Sequence, residues 1–103
     1  MRFVIIGAGR VGLRTGRVLR DEGHQITFVE QDRDRVERAR EAGFEVVHGD
    51  GSLETVLAEA GIEDADGLGA LTSDLNVNFA ACSIAKHHRT WTVLRVDEDY
   101  REE

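Results

Sequence analysis

Two patterns of apolar and polar positions alternate along the chain. Short continuous apolar runs, such as residues 3–6 and 26–29, are separated by stretches in which apolar residues recur at helical spacing. Continuous runs of this length are typical of strands that are buried on both faces of a parallel sheet. The pattern predicts strands at 3–6, 26–29, 44–47, 67–72 and 91–96, and helices at 10–22, 32–42, 52–60 and 74–88.

Residues with capping preferences mark the ends of these helices. Asp32 and Ser52 each precede a predicted helix, where their side chains can accept hydrogen bonds from the first N–H groups. Gly23, Gly43 and Gly61 follow three of the helices and can adopt the left-handed conformation that ends them. The sequence therefore supports short helices with sharp ends.

The first helix is predicted to pack on the sheet through Val11, Val18 and Leu19. Gly12 and Gly16 lie in the same helix and would allow it to approach the sheet closely.

Strands separated by helices predict right-handed crossovers and one parallel sheet. The expected fold class is α/β, a Rossmann-like doubly wound parallel sheet of about five strands in the order 3-2-1-4-5 with helices on both faces. No Pro-rich or Ser-rich linker divides the chain, so we expect residues 1–103 to form a single domain. Residues from about 97 to 103 are predicted to be an acidic tail with little capacity to form a core.

Charge and cysteine content narrow the classes of function. Thirteen Lys and Arg residues against twenty Asp and Glu residues give a net charge of −7. This charge opposes binding to nucleic acid and to anionic membrane surfaces, so no nucleic-acid partner is expected. The single cysteine, Cys82, excludes an internal disulfide and is predicted to be an inert core thiol. No Cys and His residues have metal-ligand spacing, and we predict no metal site and a cytoplasmic location.

A glycine-rich motif, Gly-Ala-Gly-Arg-Val-Gly at residues 7–12, joins the first predicted strand to the first helix. In such a motif Gly7 permits the tight turn, Gly9 lets the backbone approach a pyrophosphate, and Gly12 lets helix and strand pack closely. Val11 lies within the same loop and belongs to the predicted binding set. Arg10 could reach a second or third phosphate, or could be an exposed residue at the start of the helix.

Glu30 stands at the end of the second predicted strand, about 20 residues beyond the glycine motif. An acid at this place accepts hydrogen bonds from the ribose hydroxyls of an adenine nucleotide and repels a 2′-phosphate. The sequence therefore favours NAD or an adenine nucleotide over NADP. The alternative is a glycine-rich turn that only packs, with Glu30 as a solvated strand end.

Four further motifs accompany the later strands: Glu30-Gln31-Asp32 after the second, Gly49-Asp50-Gly51-Ser52 after the third, Thr72-Ser73-Asp74 with Asn78 after the fourth, and Leu94-Arg95-Val96 in the fifth. In this order and at this spacing the chain resembles the regulator-of-potassium-conductance (RCK) nucleotide-binding domain of the TrkA N-terminal type. The resemblance covers nearly all of the chain. It implies a non-catalytic domain that binds NAD (NAD⁺ or NADH), or alternatively ADP or ATP, and that regulates potassium transport.

The resemblance also implies site residues and partners. Asp50 would lie by the adenine together with Gly51, and Thr72, Ser73 and Asp74 would face the other half of the ligand. Asp50 could instead cap a helix with Ser52, and residues 72–74 could form a helix cap. Partners implied by the family are a potassium transporter or channel at the inner face of the membrane and further copies of the chain, in a homodimer or a ring.

The predicted helix at 74–88 has apolar residues on most of its faces. The sheet would bury one side of it and a second subunit could bury the other, which is consistent with such an assembly. The role of Asn78, one turn into this helix, stays open.

Two other functions compete with a regulatory domain. The chain could be the cofactor-binding half of an NAD-dependent oxidoreductase, which needs a placed acid or base. His48 is the residue near the crevice that could supply one, although a strand-end histidine is commonly structural. The chain could also be the nucleotide-binding domain of a cation–proton antiporter. We predict no catalytic residue.

Overall fold

The computed structural model describes residues 1–96. Its elements in chain order are β1 (Arg2–Ile6), α1 (Arg10–Asp21), β2 (Gln25–Glu30), α2 (Arg33–Glu41), β3 (Glu45–His48), α3 (Glu54–Glu59), a 3₁₀ turn (Ile62–Asp64), β4 (Gly67–Ala70), α4 (Leu75–His87) and β5 (Trp91–Leu94). The acidic tail predicted at about 97–103 lies outside the described residues. No helix within residues 1–96 is both long enough and apolar enough to cross a membrane.

The five strands form one parallel sheet in the order β3-β2-β1-β4-β5. This order confirms the predicted fold class. Ile5, in the central strand β1, lies opposite Phe28 of β2 on one side and Gly69 of β4 on the other. Because the chain order reverses at β1, the loops after β1 and β4 separate at the carboxyl edge and leave a crevice there.

Helices cover the sheet on both faces, as predicted. On one face α1 and α2 enclose a core that contains Ile5, Phe28 and Ala39. On the other face α3 and α4 enclose a core that contains Leu57 and Ala81. Residues of β1 alternate between the two cores, which explains why this strand is a continuous apolar run in the sequence.

The predicted packing face of α1 is wrong for two of its three residues. Val11 and Val18 are exposed by 41% and 53%, and the sheet is contacted instead by the buried Gly12 and Gly16. A Cβ atom on Gly16 would lie 2.6 Å from Cζ of Phe28. The phenyl ring of Phe28, which belongs to β2, therefore fills the space that a side chain at position 16 would occupy. The glycines therefore set the rotation of the helix, and the valines face outward.

Several element boundaries differ from the prediction. Phe44 precedes β3, Thr72 follows β4 and Val96 follows β5, because these residues lie beyond the paired register of the sheet. Asp32 caps α2 as predicted, since its Oδ2 accepts the N–H of Arg35 at 3.0 Å.

Ser52 does not cap α3. The hydroxyl of Ser52 donates to Asp50 instead. The N-cap residue of α3 is Leu53, whose side chain has no polar group to cap the helix. Cys82 is half-buried at the edge of the core, where burial raises the pKa of its thiol and a hydrogen bond with Thr92 opposes that rise.

Candidate functional site

A cavity of about 480 Å³ opens at the carboxyl edge of the sheet, where the loops after β1, β2 and β4 meet. This volume lies within the usual range of small-molecule sites. Its wall includes most of the sequence-predicted binding residues: Gly7, Gly9, Arg10, Val11, Glu30, Gly51, Thr72, Ser73 and Asp74. The predicted residues Gly12 and Asp50 do not belong to the wall.

The N-terminus of α1 points into this cavity from the glycine motif. Gly9 is the N-cap residue, and within residues 1–96 no side chain caps the helix and no acid lies in its first turn. The N–H groups of Arg10, Val11 and Gly12 are therefore available to an anion, and the helix dipole favours negative charge at the same place.

Gly7 and Gly12 shape the loop that precedes this helix. Gly7 has φ +103°, and its N–H donates to the carbonyl oxygen of Val29 at 2.8 Å. A Cβ atom on Gly12 would overlap the carbonyl oxygen of Gly7. Gly12 thus acts by packing, as the motif predicts, while Gly7 and Gly9 present backbone to the cavity.

The carboxylate of Glu30 is buried, with 7% of the residue exposed, and it binds backbone rather than solvent. Its Oε1 accepts the N–H of Ala8 at 2.6 Å, and its Oε2 accepts the N–H groups of Gln31 at 3.0 Å and Asp32 at 2.9 Å. A carboxylate has about four acceptor positions, so within residues 1–96 these bonds leave Oε1 able to accept one more. Glu30 is not the solvated strand end of the alternative interpretation.

Residues 72–74 include a helix cap and also line the cavity. Asp74 is the N-cap of α4, and its Oδ1 accepts the N–H groups of Asn76 at 3.0 Å and Val77 at 3.3 Å. Thr72, Ser73 and Asp74 nevertheless also line the cavity, on the side opposite Glu30.

Asp50 does not line the cavity, and its carboxylate binds Ser52. Its Oδ1 accepts the backbone N–H of Ser52 at 2.8 Å and the hydroxyl of Ser52 at 2.7 Å, and these two bonds lower the pKa of the Asp50 carboxyl. The neighbouring Gly49 and Gly51 line the cavity in its place. A Cβ atom on Gly51 would overlap Cγ2 of Ile6, so this turn lies directly against β1.

His48 is exposed at the end of β3. Its Nε2 lies 3.0 Å from the carbonyl oxygen of Gln31, and the residue is not part of the cavity wall.

Two arginines of the wall were not among the predicted binding residues. The guanidinium of Arg35, in the first turn of α2, lies 3.6 Å from the position that a Cβ atom of Gly9 would take. Arg95 follows β5, and its Nη1 donates to the carbonyl oxygen of Leu71 at 3.3 Å. Their positions in the sequence could have indicated both residues, because Arg35 lies in the first turn of a helix and Arg95 directly follows a strand at the carboxyl edge of the sheet.

Together these groups can hold a ligand with two kinds of polar group. The N-terminus of α1, with Arg10 and Arg35 beside it, can bind phosphate, and Glu30 can accept a hydrogen bond from a hydroxyl group. The bare backbone of Gly7 and Gly9 leaves room for close approach between these two points. Among residues 1–96, no group of three or more Asp, Glu, His and Cys residues could hold a metal ion.

Known structures share this fold. The NAD(P)-binding domain of an exopolyphosphatase-related protein from Archaeoglobus fulgidus superposes with a TM-score of 0.81 at 20% identity, over 93% of this chain and 73% of that one. The Kef CTD of Shewanella denitrificans in its AMP-bound form superposes with a TM-score of 0.76 at 22% identity, over 90% of this chain and 56% of that one. At these identities the likeness concerns the fold alone.

Some curated proteins have higher sequence identity to this chain than these structures do. The Trk system potassium uptake protein TrkA homolog of Pyrococcus abyssi is 37% identical over 102 residues, which cover 95% of this chain and 44% of that protein. The Trk system potassium uptake protein TrkA of Halomonas elongata is 42% identical over 86 residues, which cover 82% of this chain and 19% of that protein. The chain thus spans less than half the length of these curated relatives.

The family model described as the TrkA-N domain matches residues 3–103, which is nearly the whole chain. This match agrees with the resemblance carried by the glycine motif and the loops after β2, β3 and β4. The chain belongs to the TrkA-N domain family.

Proposed function

We propose that this chain is a non-catalytic regulatory domain that binds NAD (NAD⁺ or NADH), or alternatively ADP or ATP, within a potassium uptake or channel system. The observation that carries the proposal is the position of the uncapped N-terminus of α1 next to the buried carboxylate of Glu30 in one cavity. A phosphate-binding helix end beside a ribose-binding acid is the arrangement that adenine dinucleotides require.

In this proposal the ligand extends across β1. The ribose of the adenosine half binds the remaining acceptor position of Glu30, and the phosphates bind the N–H groups at the start of α1. Arg10 and Arg35 add positive charge at the phosphates, and the second half of a dinucleotide lies against residues 72–74. The negative charge of Glu30 disfavours the 2′-phosphate of NADP.

Binding is tested by equilibrium dialysis of the chain against AMP, ADP, ATP, NAD and NADH. Saturable binding of these nucleotides at one site supports the proposal, and retention of none of them contradicts it. Loss of binding in Glu30→Gln, in a variant that urea denaturation shows to be folded, assigns the ligand to this cavity.

A regulatory rather than an enzymatic role is favoured by the position of His48, which does not line the cavity. This histidine is the candidate acid or base, and it is not among the residues that line the cavity, although its Nε2 lies 3.0 Å from the carbonyl oxygen of the wall residue Gln31. Incubation of the chain with NADH and a panel of aldehydes and ketones tests this part of the proposal. Reproducible oxidation of NADH, followed at its absorbance band, would support the oxidoreductase alternative instead.

The potassium-related role is favoured by the relatives, which are named as potassium uptake proteins and share 37% and 42% of the aligned residues with this chain. We propose that the domain acts at the cytoplasmic face of the membrane through a transporter or channel partner. Rubidium uptake by cells that carry the gene for this protein provides the test. Uptake should change when Glu30 is replaced by Gln, and unchanged uptake would contradict the role.

We also propose that the protein assembles into a homodimer or a ring. The exposed side of α4 includes Phe79, of which 53% is exposed, and a second copy could cover it. Light scattering on the protein should give the mass of at least a dimer, and a monomer at high concentration would contradict this proposal.

A further inference from the structure

Asn78 is almost completely buried behind the wall of the cavity, with 1% of the residue exposed. It lies in the first turn of α4 and is not itself a wall residue. A buried amide is costly unless its donors and acceptor are paired, so the partners of this side chain reveal its role.

The side chain of Asn78 makes four hydrogen bonds. Its Oδ1 accepts the backbone N–H of Thr72 at 3.1 Å and the hydroxyl of Thr72 at 2.7 Å. Its Nδ2 donates to the carbonyl oxygen of Thr72 at 2.9 Å and to that of Arg95 at 3.2 Å. These bonds use the full capacity of an amide side chain, and three of them go to one residue of the cavity wall.

Through these bonds Asn78 joins three segments that meet at the carboxyl edge. The loop after β4 is held at Thr72, the end of β5 is held at Arg95, and both are tied to α4. The hydroxyl of Thr72 also accepts the N–H of Asp74 at 3.0 Å, so the bonds of Asn78 extend to the residue that caps α4.

The position of Thr72 sets the width of the cavity on the side away from Glu30. Its Cγ2 lies 3.0 Å from the position that a Cβ atom of Gly7 would take, so this wall lies directly against the first turn of the glycine motif. A ligand that ends at the phosphates need not reach beyond this point, whereas a dinucleotide must pass over it.

We propose that Asn78 is a positioning residue that holds the Thr72 wall in the shape that accepts the second half of a dinucleotide. It thereby sets the preference of the site for NAD over AMP. The inference rests on the proposed function, since it presupposes that an adenine nucleotide binds in this cavity. It adds a residue that does not touch the ligand but determines which ligands fit.

The test compares Asn78→Ala with Asn76→Ala by calorimetric titration with NAD and with AMP. Asn76 is an exposed asparagine in the same turn of α4 and outside the cavity wall, so it controls for the loss of an amide from this helix. For Asn78→Ala we expect the affinity for NAD to fall about tenfold or more, while the affinity for AMP changes less than about twofold. Asn76→Ala should leave both affinities unchanged.

Other outcomes overturn the inference in distinguishable ways. Equal losses for NAD and AMP in Asn78→Ala would mean a general structural role, and no loss of either would mean no role in binding. Failure of the unmodified chain to bind either nucleotide would overturn the proposed function and this inference with it. If thermal unfolding shows that Asn78→Ala does not fold, Asn78→Ser replaces it, because serine keeps a polar group but cannot bridge Thr72 and Arg95. A larger loss of affinity for NAD than for AMP in Asn78→Ser would then support the inference, and equal losses would overturn it.

Discussion

Oε1 of Glu30 lies 2.6 Å from the backbone nitrogen of Ala8, so the acid that ends β2 holds the glycine loop that follows β1. The second oxygen of the same carboxylate holds the backbone of residues 31 and 32. Glu30 therefore fixes the two loops that border one half of the cavity. Its role in shaping the site and its proposed role in binding ribose depend on the same charged group.

Replacement of Glu30 by Gln should weaken both folding and binding. The NH₂ group of glutamine would face at least one backbone N–H that now donates to a carboxylate oxygen of Glu30. Two donors facing each other cannot form a hydrogen bond, and the lost bond should lower the free energy of unfolding by about 1–3 kcal/mol. NAD affinity should fall as well, because the loop moves and the ribose loses its acceptor. Urea denaturation measures the first effect, and calorimetric titration measures the second.

Glu45→Gln is the matched control, since Glu45 is an exposed glutamate on the neighbouring strand β3. It should change neither stability nor NAD affinity appreciably. Equal effects from the two substitutions would show that only net charge matters, and would refute the structural role of Glu30.

Gly12→Ala should destabilise the chain by about 3 kcal/mol or more, because the added Cβ atom would overlap the carbonyl oxygen of Gly7 and backbone cannot move aside easily. Gly69→Ala is the control, since a Cβ atom there would meet only the side chain of Leu71 at an ordinary 3.7 Å. Its effect should stay within about 1 kcal/mol. Urea denaturation of both variants makes the comparison, and a similar loss in each would mean that α1 is not packed as described.

Arg35→Ala should weaken NAD binding about two- to fivefold, the effect of one partly solvated charge near a phosphate. Arg33→Ala removes the same kind of side chain from the same helix at an exposed position outside the cavity wall, and should have no effect. The difference between the two variants should shrink at high salt, because exposed charges are screened. Equal affinities for the two variants would exclude Arg35 from the site.

Lowering the pH should weaken the turn in which Asp50 accepts two hydrogen bonds from Ser52. The backbone and hydroxyl hydrogen bonds of Ser52 lower the pKa of the Asp50 carboxyl in the folded chain. The stabilisation from this turn is therefore complete above the unfolded pKa of about 4 and is lost as the pH falls through the lower folded value. Ser52→Ala removes only the hydroxyl donor and keeps the backbone N–H, so it should raise the folded pKa of Asp50 part of the way toward its ordinary value, as followed by NMR titration of the carboxyl carbon. Ser83→Ala, at an exposed position in α4, should leave that pKa unchanged, and an unaltered midpoint in Ser52→Ala would contradict a contribution from the hydroxyl.

The sequence predicted the sheet and most of the cavity because these features depend on local signals. A continuous apolar run such as β1 indicates a strand buried on both faces, and a glycine motif between strand and helix indicates the phosphate loop. Asp32 was recognised as a cap from its position alone, and the structure confirms it. The order of the strands followed from the right-handed crossovers that helices between parallel strands require.

Other features depend on contacts between distant residues, which periodicity does not describe. The rotation of α1 is set by Gly16 against Phe28, and the outward direction of Val18 follows from that contact. Asp50 turns toward Ser52 because the short turn offers it two donors, which competes with any contact in the cavity. Asn78 and Arg95 are 17 positions apart in the sequence, so the bond between them could not be read from local spacing.

Calorimetric titration of the unmodified chain with NAD, NADP, ADP and ATP is the decisive test of nucleotide binding in this cavity. We expect saturable binding of one NAD per chain, with NADP bound about tenfold or more weakly because Glu30 opposes a 2′-phosphate. No saturable heat from NAD, ADP or ATP at millimolar concentration, or tighter binding of NADP than of NAD, would refute the proposed nucleotide site.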